Sequence, residues 1–114
     1  MSFLFLDTQT TGMHPDHADL LEIAWGVLGE APESYLLELP EGEKIPPAVR
    51  ELTGIRSLAG AFPPEKVREN LRNFLLAHPG LTHAVAHYAQ FEKLWLLKWM
   101  PDFPLPFLFS TRQF

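Results

Sequence analysis

The stretch FLFLDTQTTG, residues 3–12, constrains this chain more than any other. Its apolar opening, Ser2 to Leu6, is too short for a helix and runs straight into the carboxylate of Asp7, with Thr, Gln and Gly next and Pro15 close behind. That pattern reads as a strand feeding a loop, with Asp7 at the strand's carboxyl end. On extended backbone, residues two apart project to one side, so Asp7 and Gln9 face the same way and could share an ion. The stretch alone leaves a second use open, in which Asp7 starts a turn that Thr10, Thr11 and Gly12 complete.

The elements that follow decide what this strand can pair with. LLEIAWGVL, Leu20 to Leu28, is a second strand, and SYLLEL, Ser34 to Leu39, a third, separated by the turn signal Gly29 to Glu33. EGEKIPP is a polar connection, and Pro47 to Leu52 starts a short helix with proline in its first turn. From Pro64 to Ala77, Val67, Leu71, Phe74 and Leu75 fall on one helical face and charges on the other, until His78-Pro79-Gly80 stops the helix. Thr82 to Ala86 is a short strand, Phe91 to Met100 an apolar-rich helix, and Pro104 to Ser110 a proline-bounded last strand. The order β-β-β-α-α-β-α-β predicts an α/β fold with a mixed sheet, whose sites gather beyond the carboxyl ends of strands.

A length of 114 residues with 46% hydrophobic content supports one core, hence one domain over 1–114. Without cysteine there are no disulfides or thiolate ligands, so a metal would be held by oxygen or imidazole, as fits a reducing cytoplasm. The apolar start lacks a basic flank and a small-residue cleavage site, and no stretch reaches the ~18 to 20 uncharged apolar residues of a membrane span. A soluble cytoplasmic protein with no membrane partner is expected. A net charge of -5 argues against a sequence-independent grip on a nucleic-acid duplex. It leaves room for an enzyme that holds only a strand end through divalent cations, which bring their own positive charge.

Two further carboxylates interrupt apolar segments. Glu22 shares a strand face with Leu20 and Ala24, so it either points toward a neighbouring strand end or edges into solvent, and the solvent reading is the simpler. In THAVAHYAQFEKLWLL, residues 82–97, a strand gives way at Ala86 to a turn with His87 and Tyr88. Glu92 then falls in the first turn of a helix, where the dipole favours an acid. By itself that position explains Glu92 without any ligand.

Taken together, these segments resemble the DnaQ-like (DEDDh) 3'-to-5' exonucleases, the family of the epsilon proofreading subunit of bacterial replicative polymerases. That family opens with a strand and D-x-E-T-T-G, here DTQTTG, followed by a second strand like LLEIAWGVL. IPPAVRELTGIRSLAGAFPPEKVRENLRNFL is similar to the family's proline, short helix, turn and amphipathic helix. Its second motif, V-A-H-N-A-x-F-D, stands here as VAHYAQFE from Val85 to Glu92. FLFSTRQF resembles a strand usually ending in Asp-Thr, with Ser110 in the aspartate's place.

The resemblance implies a ribonuclease H-like mixed sheet, three antiparallel strands and then alternating helix and strand, of which this chain matches the N-terminal part, truncated before the C-terminal helices. It implies hydrolysis at a 3' end of single-stranded DNA or RNA by two Mg²⁺ or Mn²⁺ ions about 4 Å apart, a place in DNA replication or repair, and a polymerase subunit as partner. Asp7 matches the carboxylate that bridges both metals, Gln9 stands where the second acid belongs, and Glu92 matches the acid of the second motif. Thr10, Thr11 and Gly12 would hold the terminal nucleotide, with Met13, Tyr88 and Phe91 as its apolar surroundings and His87 structural.

Departures from the pattern weaken turnover. Gln9 offers one oxygen and no charge. Tyr88 replaces a smaller Asn, and Glu92 is one methylene longer than Asp. The third motif, with a histidine base and a last aspartate, would lie beyond Phe114; losing such a base costs roughly 10² to 10⁴-fold. His14, His17, His78 and His83 read as surface or turn residues. A catalytically degenerate nucleic-acid-binding or protein-interaction module on the same scaffold is therefore the alternative. A sheet ending here is expected to leave an apolar face around Trp95, Trp99 and PDFPLPFLF, and to self-associate through it.

Overall fold

The computed structural model describes residues 2–108. Their elements follow the predicted order: β1 (Ser2–Thr10), β2 (Leu20–Gly26), β3 (Glu33–Leu36), α1 (Pro47–Thr53), α2 (Pro64–Ala77), β4 (Leu81–Val85), α3 (Ala89–Trp99) and β5 (Phe107–Leu108). The strands make one sheet in the order β3-β2-β1-β4-β5. The hairpin-linked β1, β2 and β3 pair antiparallel, whereas β4 joins β1, and β5 joins β4, in parallel. This is the mixed α/β sheet the sequence predicted.

β1 shows why the sheet has two unlike faces. Leu4, Leu6 and Thr8 are buried while Phe5 and Asp7 are exposed, the period-two alternation of a strand covered on one side. Ile23, Trp25, Ala84 and Phe107 continue the buried face. Against it pack Val67 and Leu71 of α2 and Ala89, Trp95 and Leu96 of α3. Each such aliphatic side chain contributes about 1.5–3 kcal/mol by leaving water. Arg72 of α2 adds a bidentate pair with Asp102, 2.9 and 3.0 Å, tying α2 to the segment after α3.

The opposite face stays half-buried or exposed. It carries Phe3, Phe5, Asp7 and Gln9 of β1, Glu22, Ala24 and Gly26 of β2, and Val85 and Leu108 of the parallel strands. Leu28, just past β2, is 91% exposed. The uncovered apolar surface is thus not where the tryptophans suggested. Trp95, Phe103 and Phe107 are buried, and Trp99 is half-buried beneath the guanidinium of Arg68, 5.2 Å from the ring centroid.

Two differences from the sequence reading bear on the site, at the end of β1 and the start of the last strand. β1 does not stop at Leu6 but runs to Thr10, because antiparallel pairing with β2 extends from Phe5↔Gly26 to Thr10↔Leu20. Asp7 therefore lies inside the strand. The last strand is Phe107–Leu108, preceded by irregular backbone at its prolines; Phe109 and Ser110 lie outside the described residues. His78 is more than a surface histidine. Its ring stacks on Phe74 at 4.1 Å, Nδ1 bonds the Phe74 carbonyl at 2.8 Å, and Nε2 meets the Glu30 carboxylate at 3.2 Å, joining the end of α2 to the turn after β2. The Phe74 carbonyl raises its pKa, burial opposes the rise, and the Glu30 carboxylate adds to it. No helix among the described residues is long and apolar enough to cross a membrane.

Candidate nucleic-acid end site

β1 outruns its parallel neighbour. It pairs with β4 only from Ser2↔Leu81 to Phe5↔Val85, where β4 ends, while β1 continues to Thr10. The chain leaves β4, turns through His87 and Tyr88, and starts α3 beside the edge of β1 that β4 has vacated. There the Thr8 hydroxyl donates to the Glu92 carboxylate, and the Thr8 backbone N–H is directed to the same group. Glu92 is only 5% exposed. It belongs to the buried stripe of α3, with Ala89, Trp95 and Leu96. Burial pushes its carboxyl up to about 7; the Thr8 hydroxyl opposes the shift, and the nearby negative charge of Asp7 adds to it.

Asp7 and Gln9 project to the other face, as their spacing predicts. Asp7 is exposed and lies opposite Ala24; Gln9 is half-buried and lies opposite Glu22. Asp7, Gln9 and Glu22 therefore share the open face, while Glu92 sits behind β1, on the core side. The first motif and the acid of the second are joined through Thr8.

The Thr-Thr-Gly segment closes on itself. Thr10 donates its hydroxyl to the Gly12 carbonyl at 2.7 Å. The Thr11 N–H donates to the Asp19 carbonyl at 2.9 Å, and the Asp19 N–H returns a bond to the Thr11 hydroxyl at 2.9 Å. Space is tight at Gly12, where a Cβ would come 3.0 Å from that of Ala18. Beyond this clasp Met13 is 75% exposed, and across the β4–α3 turn Tyr88 is 65% exposed, edge-on to His87 at 4.5 Å. Phe91 is half-buried against Trp95, ring centroids 6.0 Å apart, so it packs into the core more than it faces a ligand.

One participant, Thr8, escaped the sequence reading, and another, Glu22, was weighed and set aside as a solvent-facing acid. Thr8 shares the parity of Leu4 and Leu6, a signal visible only once the strand is carried past Asp7. Glu22 gains significance from standing opposite Gln9, a matter of strand register.

The two-ion centre implied by the resemblance asks for more charged donors than this site brings together. Among the described residues no three of His, Cys, Asp and Glu come together as cation ligands. Gln9 is neutral, and Glu92 is buried and bonded to Thr8 on the core side. One exposed carboxylate, an amide and a half-buried glutamate supply too little charge for two hard divalent ions. The described residues do not make a two-ion centre.

No protein-family model matches the chain, and no curated protein does. Solved structures do. Exonuclease I in complex with the inhibitor BCBP superposes with a TM-score of 0.69 at 18% identity, over 98% of this chain and 26% of that one. E. coli exonuclease I in complex with a dT13 oligonucleotide gives 0.69 at 17% identity, over 92% and 24%. A complex of exonuclease I with SSB-Ct gives 0.69 at 18%, over 98% and 26%. The chain has the fold of the part of exonuclease I that it overlies. It spans about a quarter of the length of the exonuclease I chains it matches. At these identities the likeness extends to the ribonuclease H-like sheet and its helices, and the chemistry must be argued from this chain's own residues.

Proposed function

We propose that this chain carries the strand-end-binding part of a DnaQ-like 3'-to-5' exonuclease and takes the 3' end of single-stranded DNA or RNA. The observation that supports this most is the junction of the two motif segments. The Thr10–Gly12 clasp and the start of α3 lie at the adjoining carboxyl ends of two parallel neighbours, β1 and β4, tied by a hydrogen bond between residues 84 apart in sequence. The backbone of the clasp holds the terminal nucleotide, and exposed Met13 and Tyr88 offer apolar and aromatic surface to its base, a contact worth ~1–3 kcal/mol for an aromatic stack. Asp7, with Gln9 and Glu22 beside it, is the candidate ligand for a single Mg²⁺ or Mn²⁺. Hydrolysis needs more charge than these groups supply, so end binding is the property they carry by themselves. An overall charge of -5 suits a grip on a strand end better than one along a duplex.

A binding module without turnover is the second reading, favoured by the amide at Gln9. A 5'-labelled single-stranded oligonucleotide, offered with Mg²⁺, Mn²⁺ or EDTA, separates the two. Cation-dependent shortening from the 3' end, lost in Asp7→Ala, supports the exonuclease. Binding that is indifferent to EDTA and without shortening supports the module. A chain that neither binds nor cleaves loses both readings, and cleavage undiminished by Asp7→Ala removes Asp7 from its role.

A further inference from the structure

Glu92 occupies the position of a motif acid yet does not behave as one placed for solvent or substrate. It is 5% exposed, lies in the buried stripe of α3, and is bonded to Thr8 on the core face of β1, whereas Asp7 and Gln9 project from the opposite face. The edge it contacts is the part of β1 beyond Phe5↔Val85, where, among the described residues, no strand pairs on the β4 side. Backbone and hydroxyl donors left there without an acceptor would each cost about 1–3 kcal/mol if buried.

We infer that Glu92 is a positioning residue and not a cation ligand: its carboxyl group takes the hydrogen-bonding place that β4 vacates and so latches the first turn of α3 to β1. The latch sets the distance between Tyr88, immediately before α3, and the Thr10–Gly12 clasp at the end of β1. The length of the side chain matters in this role. Glutamate reaches from the helix to Thr8; aspartate, one methylene shorter, leaves the donors of Thr8 unpaired. Glutamine keeps both the reach and an acceptor oxygen. The consequence for end binding rests on the function proposed above, but the latch itself does not.

The test uses this chain with Glu92→Gln, Glu92→Asp, Thr8→Val and Asp7→Asn, and three readouts. Mn²⁺ affinity, followed by electron paramagnetic resonance, should stay within about twofold of the parent in Glu92→Gln and fall about tenfold or more in Asp7→Asn, the loss of one charged ligand. Melting at pH 6 should drop by about 5 °C in Glu92→Asp and in Thr8→Val, by much less in Glu92→Gln, and in the Thr8→Val/Glu92→Asp double variant by no more than the larger single effect. Affinity for a labelled dT oligonucleotide in EDTA should follow the melting series and not the Mn²⁺ series. Equal loss of Mn²⁺ affinity in Glu92→Gln and Asp7→Asn makes Glu92 a ligand and overturns the inference, as do additive melting losses at Thr8 and Glu92. If the parent binds no oligonucleotide, the proposed function fails while the melting cycle still decides the latch.

Discussion

Glu92 puts an ionisable group where α3 otherwise buries alanine, tryptophan and leucine, so its proton is linked to folding. Its pKa rises from 4.5 to about 7 in the folded chain, chiefly because burial disfavours the anion. The folded state then binds more protons than the unfolded state between these values. Stability should be full below about pH 4.5, fall as the pH rises towards 7, and level off above it. After allowance for solvent screening the loss is about 2 kcal/mol. Urea denaturation from pH 4.5 to 8 should show this decline, and Glu92→Gln should flatten it; an unchanged slope in that variant would place the titration elsewhere. The shared side of Asp7 and Gln9 was legible because it needs only the two-residue period of a strand. The partnership of Glu92 was not, because it depends on Thr8, which a strand ended at Leu6 leaves in a loop, and on a helix that docks from 84 residues away.

Among the elements, α2 is the one whose sequence and structure agree at both ends, Pro64–Ala77. Proline in the first turn costs nothing there, since its missing N–H has no partner inside the helix, and His78-Pro79 cannot continue the turn. Between them the 3.6-residue period puts Val67 and Leu71 fully into the core. β1 shows the opposite case. Its polar half, Thr8 to Thr10, has weak local strand character and is extended by pairing with β2, a tertiary contact. β5 was begun too early, at Pro104, because apolar residues between prolines mimic a strand, whereas a proline cannot donate to the ladder. The contrast within α2 is testable. Leu71→Ala removes a fully buried side chain and should cost about 2–5 kcal/mol, while Leu76→Ala, at a residue 79% exposed, should stay within about 0.5 kcal/mol. Chemical denaturation of the two variants measures the difference, and similar values would mean that α2 does not pack on the sheet as described.

For the whole molecule, the sheet's two faces set the remaining expectation. One is sealed by α2 and α3; the other presents Phe3, Phe5, Val85 and Leu108, with Leu28 at its margin. The same face becomes acidic towards the carboxyl end of β1, where Asp7 and Glu22 stand. Two copies meeting face to face would bury the phenylalanine end and, by like-charge repulsion, keep the acidic ends apart. Contiguous apolar surface of this kind drives association, whereas the net charge of -5 opposes it. Added salt should therefore strengthen self-association by screening the repulsion while leaving the apolar contact intact. Sedimentation equilibrium should give a weight-average mass that rises above 13.0 kDa with concentration and rises further in salt. Phe5→Lys, at a residue already 44% exposed, should weaken the association about tenfold, equivalent to ~1.4 kcal/mol, without loss of melting temperature. An identical change at Leu76, on the helical side, should leave the association untouched. A mass that stays at the monomer value in high salt, or that responds equally to the two substitutions, would show that the open face is not the surface through which copies meet.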